Sequence, residues 1–188
     1  MSLFSRKKRI DDYDGYSVGE VDIFGKKMGE WKFYDLKDVL TKTMIYTQEN
    51  KSPFKLYYRN GKLKEEGSYV SLDTLYGNRR WIPDGECRLY YETGELHTIY
   101  HVKVYGPFTG GHFSFKDGPL TSYYKSGEIL RNCNMKYNQI EGPCTITNKD
   151  GSIKSQVIYE KHRLDGSGFP VFSSFRSSDD ILKINEEI

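Results

Sequence analysis

Four glycines set the frame of this chain. Gly61, Gly94, Gly127 and Gly151 each close a polar-Gly pair, and similar residues flank every pair. Aligned on them, the chain reads FKLYYRNGKLKEEGSYV, CRLYYETGELHTIYHVK, LTSYYKSGEILRNCNMK and CTITNKDGSIKSQVIYE. The glycines lie 33, 33 and 24 residues apart. A weaker copy, EWKFYDLKDVLTKTMIY, comes first, with Asp38 in the glycine's place 23 residues before Gly61. The unit is therefore about 24 residues long, and two junctions carry insertions of about nine.

Each unit reads as a β-hairpin. A polar-Gly pair between two strand-like runs tolerates positive φ and makes a tight turn. Before the turn Phe54, Leu56 and Tyr58 alternate with Lys55, Tyr57 and Arg59, the period of a half-buried strand. Asp84-Gly85, Asp117-Gly118 and Glu141-Gly142 recur nine residues before the turn glycine and link one hairpin to the next. A lone hairpin is marginal, so the units must stack. The expected fold is all-β: an elongated, curved antiparallel sheet of stacked hairpins with solenoid-like local contacts. Residues 1–20 are expected to be a leader and first strand region, 21–172 the repeat domain of about five units, and 173–188 a cap. Arg163-Leu164-Asp165-Gly166 opens an incomplete sixth unit. Ser177–Asp180 with Ile181, Leu182, Ile184 and Ile188 suits either a short C-terminal helix or a frayed tail.

Composition agrees with strands and turns. The 188 residues include 16 Tyr and 18 Gly, and the formal net charge is only +2. Near-balanced charge does not favour a nucleic-acid partner. No apolar run reaches the roughly 20 residues of a membrane helix. MSLFSRKKRI has no apolar stretch behind its basic residues, so it is not read as a signal peptide, and the expected location is cytoplasmic. The run Arg6-Lys7-Lys8-Arg9 reads as a solvated leader, or as an arm for anionic surfaces. Cys87, Cys133 and Cys144 are odd in number and lack metal spacing, so they read as small, buried, reduced residues.

The same pattern, G-x-W-x-x-Y-Y-x-x-G-x-L with a following L-D-G, resembles the MORN-variant repeat, best in GEWKFY, LYYRNGKLKEEGSY, DGECRLYYETGEL, DGPLTSYYKSGEI and RLDG. The resemblance covers about residues 29–172 and extends to the bacterial YwqK-type antitoxin family. It implies a MORN-like solenoid serving as an immunity protein or antitoxin that binds a cognate toxin and blocks it sterically. The alternative is a MORN-type scaffold or membrane-associated interaction protein, also without catalysis.

No constellation for chemistry appears. His97 and His101 lie about 13 Å apart along a strand, too far for one metal. The stretch GPFTGG lacks the lysine and helix of a phosphate loop. Glu65 and Glu66 are adjacent in a strand and point to opposite faces. No enzyme, cofactor or metal is expected. The candidate partner-binding residues are Tyr76, Arg79, Arg80 and Trp81 in the first insertion, and Tyr105, Phe108 and His112 in the second. Aromatics with arginine are the composition of interface hot spots. Against this, Trp81 could fold back onto the core, and the second insertion could be an extra hairpin. Tyr57, Tyr90 and Tyr123 are expected to form an aromatic ladder, for cross-strand packing or for binding. Oligomeric state is left open.

Overall fold

The computed structural model describes residues 5–73, 79–108 and 111–159. Fourteen strands run in order: β1 (Arg6–Asp12), β2 (Gly15–Val21), β3 (Lys27–Asp35), β4 (Leu40–Tyr46), β5 (Lys51–Tyr57), β6 (Leu63–Asp73), β7 (Arg79–Pro83), β8 (Gly85–Tyr90), β9 (Leu96–Phe108), β10 (Gly111–Tyr123), β11 (Ile129–Lys136), β12 (Gln139–Ile140), β13 (Gly142–Thr147) and β14 (Ile153–Tyr159). They form one open antiparallel sheet in chain order, with β7 and β12 as side strands on β6 and β11. The stacked-hairpin architecture is the one the repeats imply. The proposed cap at 173–188 and the sixth unit lie outside the described residues.

A single row of opposed residues crosses the sheet. Trp31 faces Met44, Met44 faces Phe54, and Phe54 faces Gly67. Cys87 faces Tyr100, Tyr100 faces Leu120, and Leu120 faces Cys133. Cys144 faces Val157. In every hairpin the two row residues are 13 apart in sequence (31 and 44, 54 and 67, 87 and 100, 120 and 133, 144 and 157). Trp31 and Cys87 are fully buried, and Met44, Phe54, Leu120, Cys133 and Cys144 nearly so. The row thus supplies much of the core, while its last member, Val157, is exposed. Gly67 sits in it because a Cβ there would lie 2.7 Å from the Cys87 sulfur.

The row's burial comes from curvature. In a flat sheet β4 and β7, three strands apart, would be separated by about 14 Å. The rings of Tyr46 on β4 and Trp81 on β7 nevertheless meet at 5.7 Å between centroids. Tyr100 on β9 likewise reaches across β8 to donate to Glu65 Oε1 on β6 at 2.7 Å. The row side is therefore concave.

The turns repeat closely. Gly61 donates to the Tyr58 carbonyl at 2.9 Å, and Gly94, Gly127 and Gly151 do the same in their hairpins. All four have positive φ, and so does Asp38, at 60°, in the unit that lacks the glycine. A one-residue register shift follows Phe33, Leu56, Leu89, Ser122 and Ile146, so all five hairpins carry the same bulge beside the turn.

Two expectations are corrected. The run Arg6–Arg9, expected to be solvated chain ahead of the fold, forms most of edge strand β1, paired from Arg6↔Val21 to Asp12↔Gly15. Charged side chains suit an edge strand because they discourage further pairing. Nor are all three cysteines reduced. Cys133 and Cys144 occupy opposed row positions, their Cα atoms 4.3 Å apart, and are joined by a disulfide. Cys87 is free, and burial pushes its thiol pKa up to about 11.

Candidate functional site

Both insertions form hairpin arms. In the first, β6 runs on from Tyr69 to Asp73 and pairs with β7, so that Trp81 faces Ser71 and Arg79 faces Asp73. In the second, β9 and β10 extend past the repeat and pair as far as Phe108 and Gly111. β7 lies against β9 and β10, so the arms are neighbours.

The second arm is closed at its base. The Asp117 carboxylate is buried and accepts from Lys103 Nζ at 3.0 Å, from Lys136 Nζ at 2.7 Å, and from the Tyr105 hydroxyl. Lys136 Nζ also donates to Tyr105 Oη at 2.9 Å. Burial raises the Asp117 pKa, but the hydrogen bonds from Lys136, Tyr105 and Lys103 outweigh it and hold the carboxyl below its usual range. Phe115 and Tyr137 pack on the Tyr105 ring at 6.0 and 5.0 Å. Tyr105 is therefore tied into a polar and aromatic cluster that fastens the arm to the sheet. His112 is half-buried on β10.

The first arm is open. Trp81 and Tyr46 line a cleft of about 340 Å³ together with Lys26, Lys27, Thr47, Gln48 and Glu49. Beneath them Lys27 Nζ lies 4.1 Å from the Trp31 ring centroid and 5.5 Å from that of Tyr46. Next along the concave side, Lys42 Nζ sits 4.6 Å from the Tyr69 ring and 5.1 Å from Phe33. Lys116 Nζ stands 4.8 Å from Tyr100. Burial lowers the pKa of all three ammonium groups; the neighbouring Lys42 lowers that of Lys27 further, and Asp12 opposes. Such cation–π contacts compensate part of the lost hydration.

Of the residues singled out in the sequence, Trp81 lines the cleft and Arg80 is exposed beside it in β7. Tyr105 belongs to the other arm's anchor, and Tyr76 lies outside the described residues. The sequence reading missed Lys27, Lys42 and Tyr46. Lys26-Lys27 looks like a solvated turn, and only the strand register brings it under Trp81.

The tyrosine pairs divide between the two faces of the sheet, as their alternation implies. It is the second tyrosine that ties repeat to repeat. Tyr58 Oη donates to the Tyr90 carbonyl at 2.7 Å, Tyr91 Oη to Tyr123 at 2.8 Å, and Tyr124 Oη to Thr147 at 2.9 Å. The first tyrosine turns to the other face, where Tyr90 donates to Glu66 at 2.7 Å. Lys55 and Arg88 on that face pair with Glu66 and Glu86. Among the described residues no group of three or more His, Cys, Asp and Glu could hold a metal ion, and no helix is long and apolar enough to cross a membrane.

The MORN repeat variant model matches residues 53–71 and 83–103. These stretches contain most of β5 and β6, all of β8 and much of β9, the two hairpins that carry the Tyr-Tyr pairs Tyr57-Tyr58 and Tyr90-Tyr91. These two hairpins are therefore similar to the MORN repeat variant, and the flanking hairpins share their row and bulge. No curated protein matches the chain. Repeats of this kind point to a scaffold or interaction protein.

Proposed function

We propose that this protein is a non-catalytic binding scaffold that captures one protein partner on its concave side. In the finer reading that partner is a bacterial toxin, and this chain is its immunity protein or antitoxin, acting in the cytoplasm by covering the toxin's working surface. The observation that carries the binding reading is the open cleft at Trp81. A tryptophan and a tyrosine, residue types enriched at interface hot spots, stand beside the exposed Lys26 and the half-buried Lys27. The toxin identity rests on the resemblance of the repeat pattern to the antitoxin family. It fits a scaffold in which most aromatic side chains are spent on packing and one insertion is left open.

The test is to express the product of the adjacent gene with and without this chain. Growth arrest that this chain relieves, with a complex that co-purifies, supports the toxin reading. Arrest that it leaves untouched, or no arrest at all, sinks that reading and leaves a scaffold whose partner must be sought by capture.

A further inference from the structure

The charges on the two faces are treated differently. On the convex face three cations have a carboxylate: Lys32 lies 3.9 Å from Glu30, Lys55 3.8 Å from Glu66, and Arg88 2.8 Å from Glu86. At the second arm Lys103 and Lys136 share Asp117. On the concave face, among the described residues, Lys27, Lys42 and Lys116 form no ion pair and rest on aromatic rings instead. Lys26 adds a fourth ammonium at the cleft. Three carboxylates lie near these four cations, and none forms an ion pair with Lys27, Lys42 or Lys116; Asp12 acts on Lys27 only at a distance. Glu49 lines the cleft, and Glu65 is engaged by the Tyr100 hydroxyl at 2.7 Å. A partly buried cation without a counter-charge is unfavourable in isolation, and a carboxylate brought in by a partner restores the missing interaction.

The rings narrow the class of partner. Trp31, Tyr69 and Tyr100 each already have a lysine ammonium over the ring. Those faces are therefore covered, and a nucleic acid that binds by stacking bases on open aromatic faces finds few of them here. Side-chain carboxylates need only the ammonium groups. Lys27 and Lys42 stand on the neighbouring strands β3 and β4, and Lys116 on β10, five strands along the sheet from β4. At about 4.8 Å per strand the backbones span at most roughly 25–30 Å, and the curl of the sheet shortens the path on the concave side.

We propose that the concave face binds an acidic polypeptide segment of the partner, seated in the Trp81 cleft over Lys27 and running across Lys42 toward Lys116. This rests on the binding reading above and names the chemistry of its partner.

Both tryptophans of the chain, Trp31 and Trp81, lie at this site, so intrinsic fluorescence reports it directly. The probe is a poly-L-glutamate of about 20 residues, titrated at low salt, with an oligothymidylate and phosphatidylserine vesicles as competing classes. Polyglutamate should shift the emission and saturate. The double variant Lys27→Gln/Lys42→Gln should weaken binding about ten-fold or more, and Lys27→Arg/Lys42→Arg should keep it. Lys32→Gln/Lys55→Gln removes the same charge from the convex face and should change affinity less than two-fold. Equal losses from the two glutamine pairs, no saturable response to polyglutamate, or tighter binding of the oligonucleotide or the vesicles would overturn the proposal. Protection of cells that survives Lys27→Gln/Lys42→Gln would also sink this placement while leaving the toxin reading intact. Saturable polyglutamate binding without protection would do the reverse.

Discussion

The two arms have similar compositions and opposite fates. Each is a hairpin rich in aromatics and cations, and each grows from the same sheet. What separates them is one carboxylate. In the second arm Asp117 gathers Lys103, Lys136 and the Tyr105 hydroxyl, and the aromatic rings close over the result. At the first arm no described carboxylate forms an ion pair with Lys27 on β3; Asp12 acts on it only at a distance, and the lysine stays over Trp31 beside the open cleft under Trp81. Hot-spot composition alone therefore does not mark a site. The arrangement of its counter-charges does.

The largest expected effect tests what lies under the open arm. Trp31→Ala removes a fully buried ring from the central row and should lower unfolding free energy by about 3–5 kcal/mol in denaturant titration. Asp117→Asn should cost about 2 kcal/mol, because two lysines lose a shared buried partner and two exposed ends soften the loss. Its pH signature is specific. The Asp117 pKa is depressed in the fold, so its contribution is complete above the unfolded value of about 3.9 and disappears as pH falls through the folded value. The variant should therefore show a flatter acid limb than the parent. Tyr105→Phe deletes one hydroxyl of the same cluster and should cost about 1 kcal/mol, or roughly 2–4 °C in Tm. Trp81→Ala should disturb stability least, by no more than about 1 kcal/mol, since its ring packs on the edge of Tyr46 and lines a solvent-open cleft.

The contrast between the arms also shows what the sequence could convey. The turn glycines, the hairpins and the stacked sheet follow from local chemistry, and even Asp38 keeps the positive φ of the glycine it replaces. The insertions were legible as segments, and Trp81 as a candidate. Other features depend on register between distant residues. Alternation separated the two tyrosines of a pair, but that the second one donates to a carbonyl of the next repeat depends on how neighbouring hairpins stack. Cys133 and Cys144 look unrelated at a separation of 11 until their strands pair, when both fall on the central row. Lys27 and Trp81 are more than 50 residues apart and meet only because the sheet curls. That Tyr105 is tied to Asp117 was not legible, because Asp117 lies on the returning strand of the same arm.

The most direct test of the central claim compares Trp81→Ala with Tyr105→Phe for partner capture and thermal unfolding in the same preparations. The account expects Trp81→Ala to lose capture about ten-fold or more with Tm nearly unchanged, and Tyr105→Phe to lower Tm while capture persists. Capture lost on Tyr105→Phe and kept on Trp81→Ala would contradict it.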